Sequence, residues 1–237
     1  MILAIDTAGE RSSVALSGQD AVEVRELQVG DTRLERVLPL VHELLTSCGA
    51  RPQSCEAFAF GSGPGPFTGL RVACTIVQGL AFACGRPVVP VGNLEALALA
   101  SLRGEPASEG SVRVLTAIDA RMGQAYWAVF ERSAGGLWHA VAAPAACDLA
   151  QLPECVDRFA PDVLAGSAFS LPGVSPAGRA GRAPRLAGID RAGAREILEL
   201  AIGRLRRGQF VPARDAAPTY VRERVARTVA ERAQGPR

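Results

Sequence analysis

Phe60-Gly61-Ser62-Gly63-Pro64-Gly65-Pro66-Phe67-Thr68-Gly69-Leu70-Arg71 runs without a break into an apolar stretch over 72–85. Four glycines and two prolines fall within the nine residues 61–69. Glycine loses backbone entropy in a regular element and proline removes a donor, so these residues read as a built turn. Thr68 has a hydroxyl suited to capping a helix start, and Gly85 suits a helix stop. A tight loop feeding a long helix is therefore expected. Between Leu70 and Cys84 the polar side chains are Arg71, Thr75 and Gln78, at i, i+4 and i+7, which form one thin seam on an otherwise apolar cylinder. Such a helix is either enclosed within the fold or offers its second face to another protein.

The whole chain, 237 residues with 48% hydrophobic content and a net charge of +2, has the composition of a globular protein of one large or two small domains. Gly, Pro or charge interrupts each apolar tract well short of the ~20 residues a membrane span needs. The opening Met1-Ile2-Leu3-Ala4-Ile5-Asp6 reads as a strand with no basic leader, so the expected compartment is the cytoplasm. Six cysteines at 48, 55, 74, 84, 147 and 155 form no C-x-x-C pair, and the two histidines are His42 and His139. That spacing fits free thiols rather than a zinc or redox site. All 26 basic residues are arginine, which excludes lysine chemistry. Residues 191–237 hold eleven Arg against five acidic residues, a net of +6 that leaves −4 for the rest. A basic end of this kind meets phosphate or forms a solvated helix face.

Taken in order, 2–5 and 13–16 read as a hairpin and 22–29 as a third strand. Thr32 opens a helix with apolar residues at Leu34, Val37, Leu38, Val41, Leu44, Leu45 and Cys48, closed by Gly49, with Pro39 as a kink or as the mark of the true start. Leu40 stands on its otherwise polar side with Arg36, Glu43 and Ser47. A strand at 57–60, the loop and long helix, a strand at 88–91 and a helix capped by Asn93 follow. Residues 104–111 read as a linker between an N-terminal unit, 1–103, and a C-terminal unit, 112–237. In the second unit strands are expected at 112–118, 124–130, 137–141 and 163–165, with helices near 149–159 and 192–207. The Pro/Gly-rich segment 171–188 is expected to be irregular.

Ala4-Ile5-Asp6-Thr7-Ala8-Gly9 and Ala117-Ile118-Asp119-Ala120-Arg121-Met122-Gly123 look like one element used twice. A duplicated α/β unit of three strands, helix, strand, helix resembles the ribonuclease H-like domains of the actin, Hsp70 and sugar-kinase (ASKHA) superfold, whose two units face each other across a cleft. Asp6 and Asp119 stand where magnesium-positioning carboxylates would, or serve as turn residues. The glycines around them are too few for a good phosphate cradle, and Pro64 and Pro66 remove two N–H groups from the loop before the long helix. No G-x-S-x-G elbow is present, and neither histidine neighbours a nucleophile.

Six stretches together resemble the bacterial TsaB (YeaZ) family: 2–7 (ILAIDT), 35–40 (ERVLPL), 63–71 (GPGPFTGLR), 78–81 (QGLA), 118–127 (IDARMGQAYW) and 218–222 (PTYVR). Pro66 departs from the serine usual in that family. The resemblance implies a non-catalytic subunit without a cofactor of its own. It would pair with the catalytic relative TsaD and the ATPase TsaE in threonylcarbamoyladenosine formation beside the tRNA anticodon, meeting tRNA only through the complex and forming homodimers when alone. The catalytic relative's V-H-H-L-E-G-H motif aligns on residues 91–97, placing Asn93 and Leu97 at its two metal-ligand positions. An older metallopeptidase label fails on the same ground. The family's use of its first two helices for subunit contacts implies an interface at Arg36, Leu40, Glu43, Ser47, Leu70, Arg71, Cys74, Val77, Gln78 and Ala81. The alternative is a nucleotide-dependent kinase with Asp6 and Asp119 on magnesium.

Overall fold

The computed structural model describes residues 1–9, 11–18, 21–27, 34–105, 110–174 and 183–221. Its strands and helices are β1 (Ile2–Asp6), β2 (Ser13–Ser17), β3 (Val22–Glu26), α1 (Val37–Ser47), β4 (Ala57–Gly63), α2 (Phe67–Cys84), β5 (Val88–Gly92), α3 (Asn93–Ser101), β6 (Val112–Arg121), β7 (Gln124–Arg132), β8 (Trp138–Asp148), α4 (Leu152–Phe159), β9 (Val163–Ala165), β10 (Arg185–Leu186) and α5 (Ala194–Arg206).

Two sheets carry the duplication. The first has the order β3-β2-β1-β4-β5 and the second, read from its other edge, β8-β7-β6-β9-β10. In each, the first three strands pair antiparallel and the last two run parallel to the first. The same topology twice is the duplicated arrangement of the actin, Hsp70 and sugar-kinase superfold.

Side-chain alternation fixes what covers each sheet. On β1, Leu3 and Ile5 point to one face with Phe58, Phe60, α1 and α2. Ile2 and Ala4 point to the other with Ala57, Ala59 and α5. On the second sheet, Leu115, Ala117 and Val129 meet α4, whereas Val114, Ala128 and Phe130 meet Leu94, Ala98 and Leu102 from α3 and its end. The helices are thus exchanged between the sheets: α3 follows the first but covers the second, and α5 follows the second but covers the first. Arg103 of the α3 end pairs with Glu196 and Glu199 of α5, and Arg204 of α5 with Glu95 of α3. The N-terminus of α5 is held by Ser13, whose Oγ accepts from Ala194 N at 2.9 Å, and by Glu196, which reaches back to Gly193 N at 2.9 Å.

Several expectations are corrected. The glycine-rich stretch is strand as far as Gly63, because Gly61 and Gly63 pair with Val91 and Gly92 of β5 across a bulge. The peptide Gly63–Pro64 is cis, and α2 begins at Phe67 after Pro66, with Thr68 inside its first turn. Gly85 ends it in the left-handed conformation, φ 61°. Thr32 lies outside the described residues; α1 starts at Val37 after a 3₁₀ turn, so Pro39 sits in the first helical turn, where its missing N–H costs nothing. Asn93 is the first residue of α3 rather than its cap. Residues 171–188 include the short strand β10, and 175–182 lie outside the described residues.

The interface residues expected from the resemblance divide by burial. Leu70, Cys74, Val77 and Ala81 are buried against the first sheet, and so is Leu40, at 8% exposure. Burial on the sheet claims the 70/74/77/81 row of α2, so none of these side chains is free. Arg36, Glu43, Ser47 and Arg71 are exposed and Gln78 is half-buried. Although α2 is apolar and long enough for a membrane span, it lies on the sheet through that row.

After α5 the chain returns to the first sheet. Val211 pairs with Val88, and the segment then runs back along α2, with Gln78 Nε2 donating to Arg214 O at 3.4 Å, Cys74 Sγ to Ala216 O at 3.5 Å and Thr219 N to Ser62 O at 2.7 Å. At the end of this run Tyr220 stacks on Phe67 at 5.3 Å.

Candidate functional site

Two surfaces are candidates: the cleft between the sheets and the outer face of α1 and α2.

The cleft has a volume of about 1070 Å³ and is lined by Asp6, Asn93, Leu97, Asp119, Arg121 and Arg191 among others. Asp6 ends β1, Asp119 lies two residues before the end of β6, and both line the cleft. Ala8 N donates to Asp6 Oδ1 at 3.1 Å, and Arg121 N to Asp119 Oδ1 at 2.7 Å. Burial raises the Asp6 carboxyl from 3.8 to about 6, against the pull of its backbone donors and of Arg191. Asp119 is more open and pairs with Arg121 at 3.2 Å. Arg121 and Met122 both hold positive φ, 63° and 58°, in the turn that follows.

The floor of the cleft is fitted closely. A Cβ on Gly61 would stand 2.7 Å from Asp6 Oδ1 and 2.6 Å from Asn93 Oδ1, and one on Gly69 would stand 1.9 Å from Thr7 O. Thr7 Oγ1 donates to Gly69 O at 2.5 Å, locking the start of α2 to the turn after β1. Asn93 Oδ1 accepts from Gly63 N at 3.3 Å, and Leu97 is buried. An amide turned to the backbone and an alkyl chain therefore stand at 93 and 97, and a leucine has no lone pair to give a metal. Chemically, this cleft offers one acid whose carboxyl is raised toward neutrality and three arginines, Arg11, Arg121 and Arg191.

The outer face is different in kind. On α2, Thr68, Arg71, Thr75, Gly79, Phe82 and Ala83 form one exposed stripe, with Phe82 77% exposed. On α1 the exposed leucine is Leu38, at 52%, in place of the expected Leu40. Sequence reasoning missed Phe82, Gly79 and Leu38. A signal for them exists: the seam of Arg71 and Thr75 marks the outward side, and Gly79 and Phe82 continue it one and two turns on.

The family described as "TsaD: tRNA N6-adenosine threonylcarbamoyltransferase" matches residues 29–171, well over half of the chain. Over 227 residues the chain is 34% identical to the Escherichia coli tRNA threonylcarbamoyladenosine biosynthesis protein TsaB, covering 95% of this chain and 96% of that one. The chain belongs to the TsaB (YeaZ) family. A Bacillus subtilis TsaB is 31% identical over 135 residues, 56% of each chain. YeaZ from Pseudomonas aeruginosa superposes with a TM-score of 0.78 at 34% identity, covering 92% of this chain and 98% of that one. By contrast, a Ralstonia pickettii threonylcarbamoyltransferase is matched over 91 residues at 36% identity, 26% of its length. The Escherichia coli TsaB thus matches nearly end to end, and this transferase over about a quarter.

Proposed function

We propose that this chain is the non-catalytic subunit of a tRNA threonylcarbamoyladenosine-forming complex, holding a TsaD-like catalytic partner through the outer face of α1 and α2. The reading rests above all on the exposed stripe around Phe82: apolar surface of this kind on an ordered helix is where a partner helix docks. Asn93 and Leu97 support it, since a chain with these residues at the ligand positions leaves metal chemistry to its relative. Alone, the same face pairs two copies; in the cytoplasm a TsaE-like ATPase joins the complex, and tRNA is met through the assembly.

The test mixes purified chain with its TsaD-like relative and follows co-elution and modified adenosine in tRNA. Phe82→Glu and Thr75→Arg are expected to keep the fold and abolish both. Retention of the complex by both variants overturns the interface. The second reading, a kinase, has in its favour that Asp6 and Asp119 line one cleft. Calorimetry with ATP and magnesium on the chain alone separates the two, tight binding favouring the kinase.

A further inference from the structure

The edge of the first sheet opposite the cleft gathers basic side chains that neither candidate surface uses. Here β1, β4 and β5 begin and α5 ends. Glu56 N donates to Met1 O at 2.8 Å, and a depression of about 510 Å³ is lined by Met1, Ser17, Glu56 and Arg206. The antiparallel pairing of Val211 with Val88 sets Phe210 across from Val89 on the outer edge of β5, three residues after Arg207, whose Nε donates to Gln209 Oε1 at 3.3 Å. Arg86 also lies close enough to Cys55, the residue before Glu56, to act on its thiol. Arg51, Arg86 and Arg206 have no carboxylate partner among the described residues, while Glu56 is taken by the Met1 ammonium at 3.3 Å. Phe210, in the segment that follows Arg206 and Arg207, is 46% exposed.

We propose that this edge, centred on Arg206, Arg207 and Phe210, binds the phosphate backbone of the RNA substrate. The inference rests on the tRNA-modification reading. Unpaired guanidinium groups on one edge attract a polyanion, and their planar forks suit phosphate oxygens. An exposed phenylalanine beside them gives a face on which an unpaired base can stack, which favours RNA over an acidic protein. The edge lies across the sheet from the cleft, so RNA can be held while the cleft and the outer helix face remain free.

The experiment uses the chain in complex with its TsaD-like relative and a labelled unmodified tRNA transcript, with Kd measured across a salt series. Arg206→Glu combined with Arg207→Glu is expected to weaken binding by about tenfold or more. The salt slope should flatten by roughly 0.7–0.9 for each phosphate that the variant no longer neutralises. Arg86→Gln is expected to do so more mildly. Arg158→Glu, a single charge reversal on α4, is expected to alter neither. Melting curves and co-elution establish that each variant is folded and assembled. Unchanged Kd and slope in the double variant overturn the proposal, as does binding of this edge to phosphatidylglycerol vesicles with no effect on tRNA. If wild-type complex forms modified adenosine while the double variant binds tRNA normally, only the edge assignment falls. If wild-type complex forms none, the functional reading falls first.

Discussion

Asp119 repeats Asp6: each lies at or within two residues of the end of the first strand of its sheet and accepts, through Oδ1, the backbone N–H two residues on, at 2.7 and 3.1 Å. The copies differ in surroundings. Asp6 is sealed beneath Gly61 and Asn93, whereas Asp119 opens toward Arg121. For the sealed copy, burial yields a pH prediction.

Burial raises Asp6 from 3.8 to about 6. Between those values the folded chain keeps a proton that the unfolded chain has released. Stability from this group is therefore greatest in acid and falls as pH rises through about 6. Asp6→Asn is expected to flatten the dependence of unfolding free energy on pH between about 4 and 7. At pH 7.5 it should stabilise by up to about 3 kcal/mol, the ceiling set by 1.36 kcal/mol per pKa unit. Denaturant melts across that range check it, and an unchanged slope sinks it.

Gly69 and Gly79 lie on one helix and should respond oppositely to alanine. At Gly69 the new Cβ meets Thr7 O at 1.9 Å, and two packed backbones cannot both yield. Gly69→Ala is expected to cost about 3 kcal/mol or more. At Gly79 nothing lies within 4 Å, so Gly79→Ala is expected to stabilise by about 1 kcal/mol through helix propensity. Urea melts of the two variants decide.

Ser13 belongs to β2 yet serves α5. Its hydroxyl accepts from Ala194 N in a buried setting. Ser13→Ala leaves that N–H without its partner and is expected to cost about 1–2 kcal/mol. Hydrogen exchange should locate the weakening at the first turn of α5; protection unchanged there would show that Glu196 alone suffices.

Val77 and Phe82 test burial against exposure. Val77→Asp places an unpaired carboxylate in the core and is expected to unfold the chain or cost several kcal/mol. Phe82→Glu, on the open stripe, is expected to shift stability by no more than about 0.5 kcal/mol. Comparable melting shifts in both would mean that the stripe is covered within a single chain.

Most of the fold is legible in the sequence because its signals are local. The short apolar runs in 2–5 and 13–16, the apolar row of α1 and the repeat of Asp6 in Asp119 mark the strands, the helices and the duplication. The glycines at 61 and 63 mislead, since entropy and propensity argue against strand while ladder bonds to β5 override both. The faces of α2 are harder. An apolar cylinder conceals which row touches the sheet, and only the seam of Arg71 and Thr75 marks the side left open. Leu40 looks outward only when Leu38 is counted in the apolar row; the structure turns Leu38 out and centres the buried face on Val37, Leu40, Val41, Leu44 and Leu45. The strap of 211–220 has no local sequence signal, because its bonds join residues 123 to 157 positions apart, as Val88 with Val211 and Ser62 with Thr219.

The exchange of α3 and α5 between the sheets has a further result. A protease nick in the 104–111 connection would not release two fragments: each half would still carry the helix that roofs the other, like two boxes closed with each other's lids. Expressed separately, residues 1–103 would lack the helix that covers one face of their sheet. The two pieces should recover a native particle when mixed, and neither should do so alone.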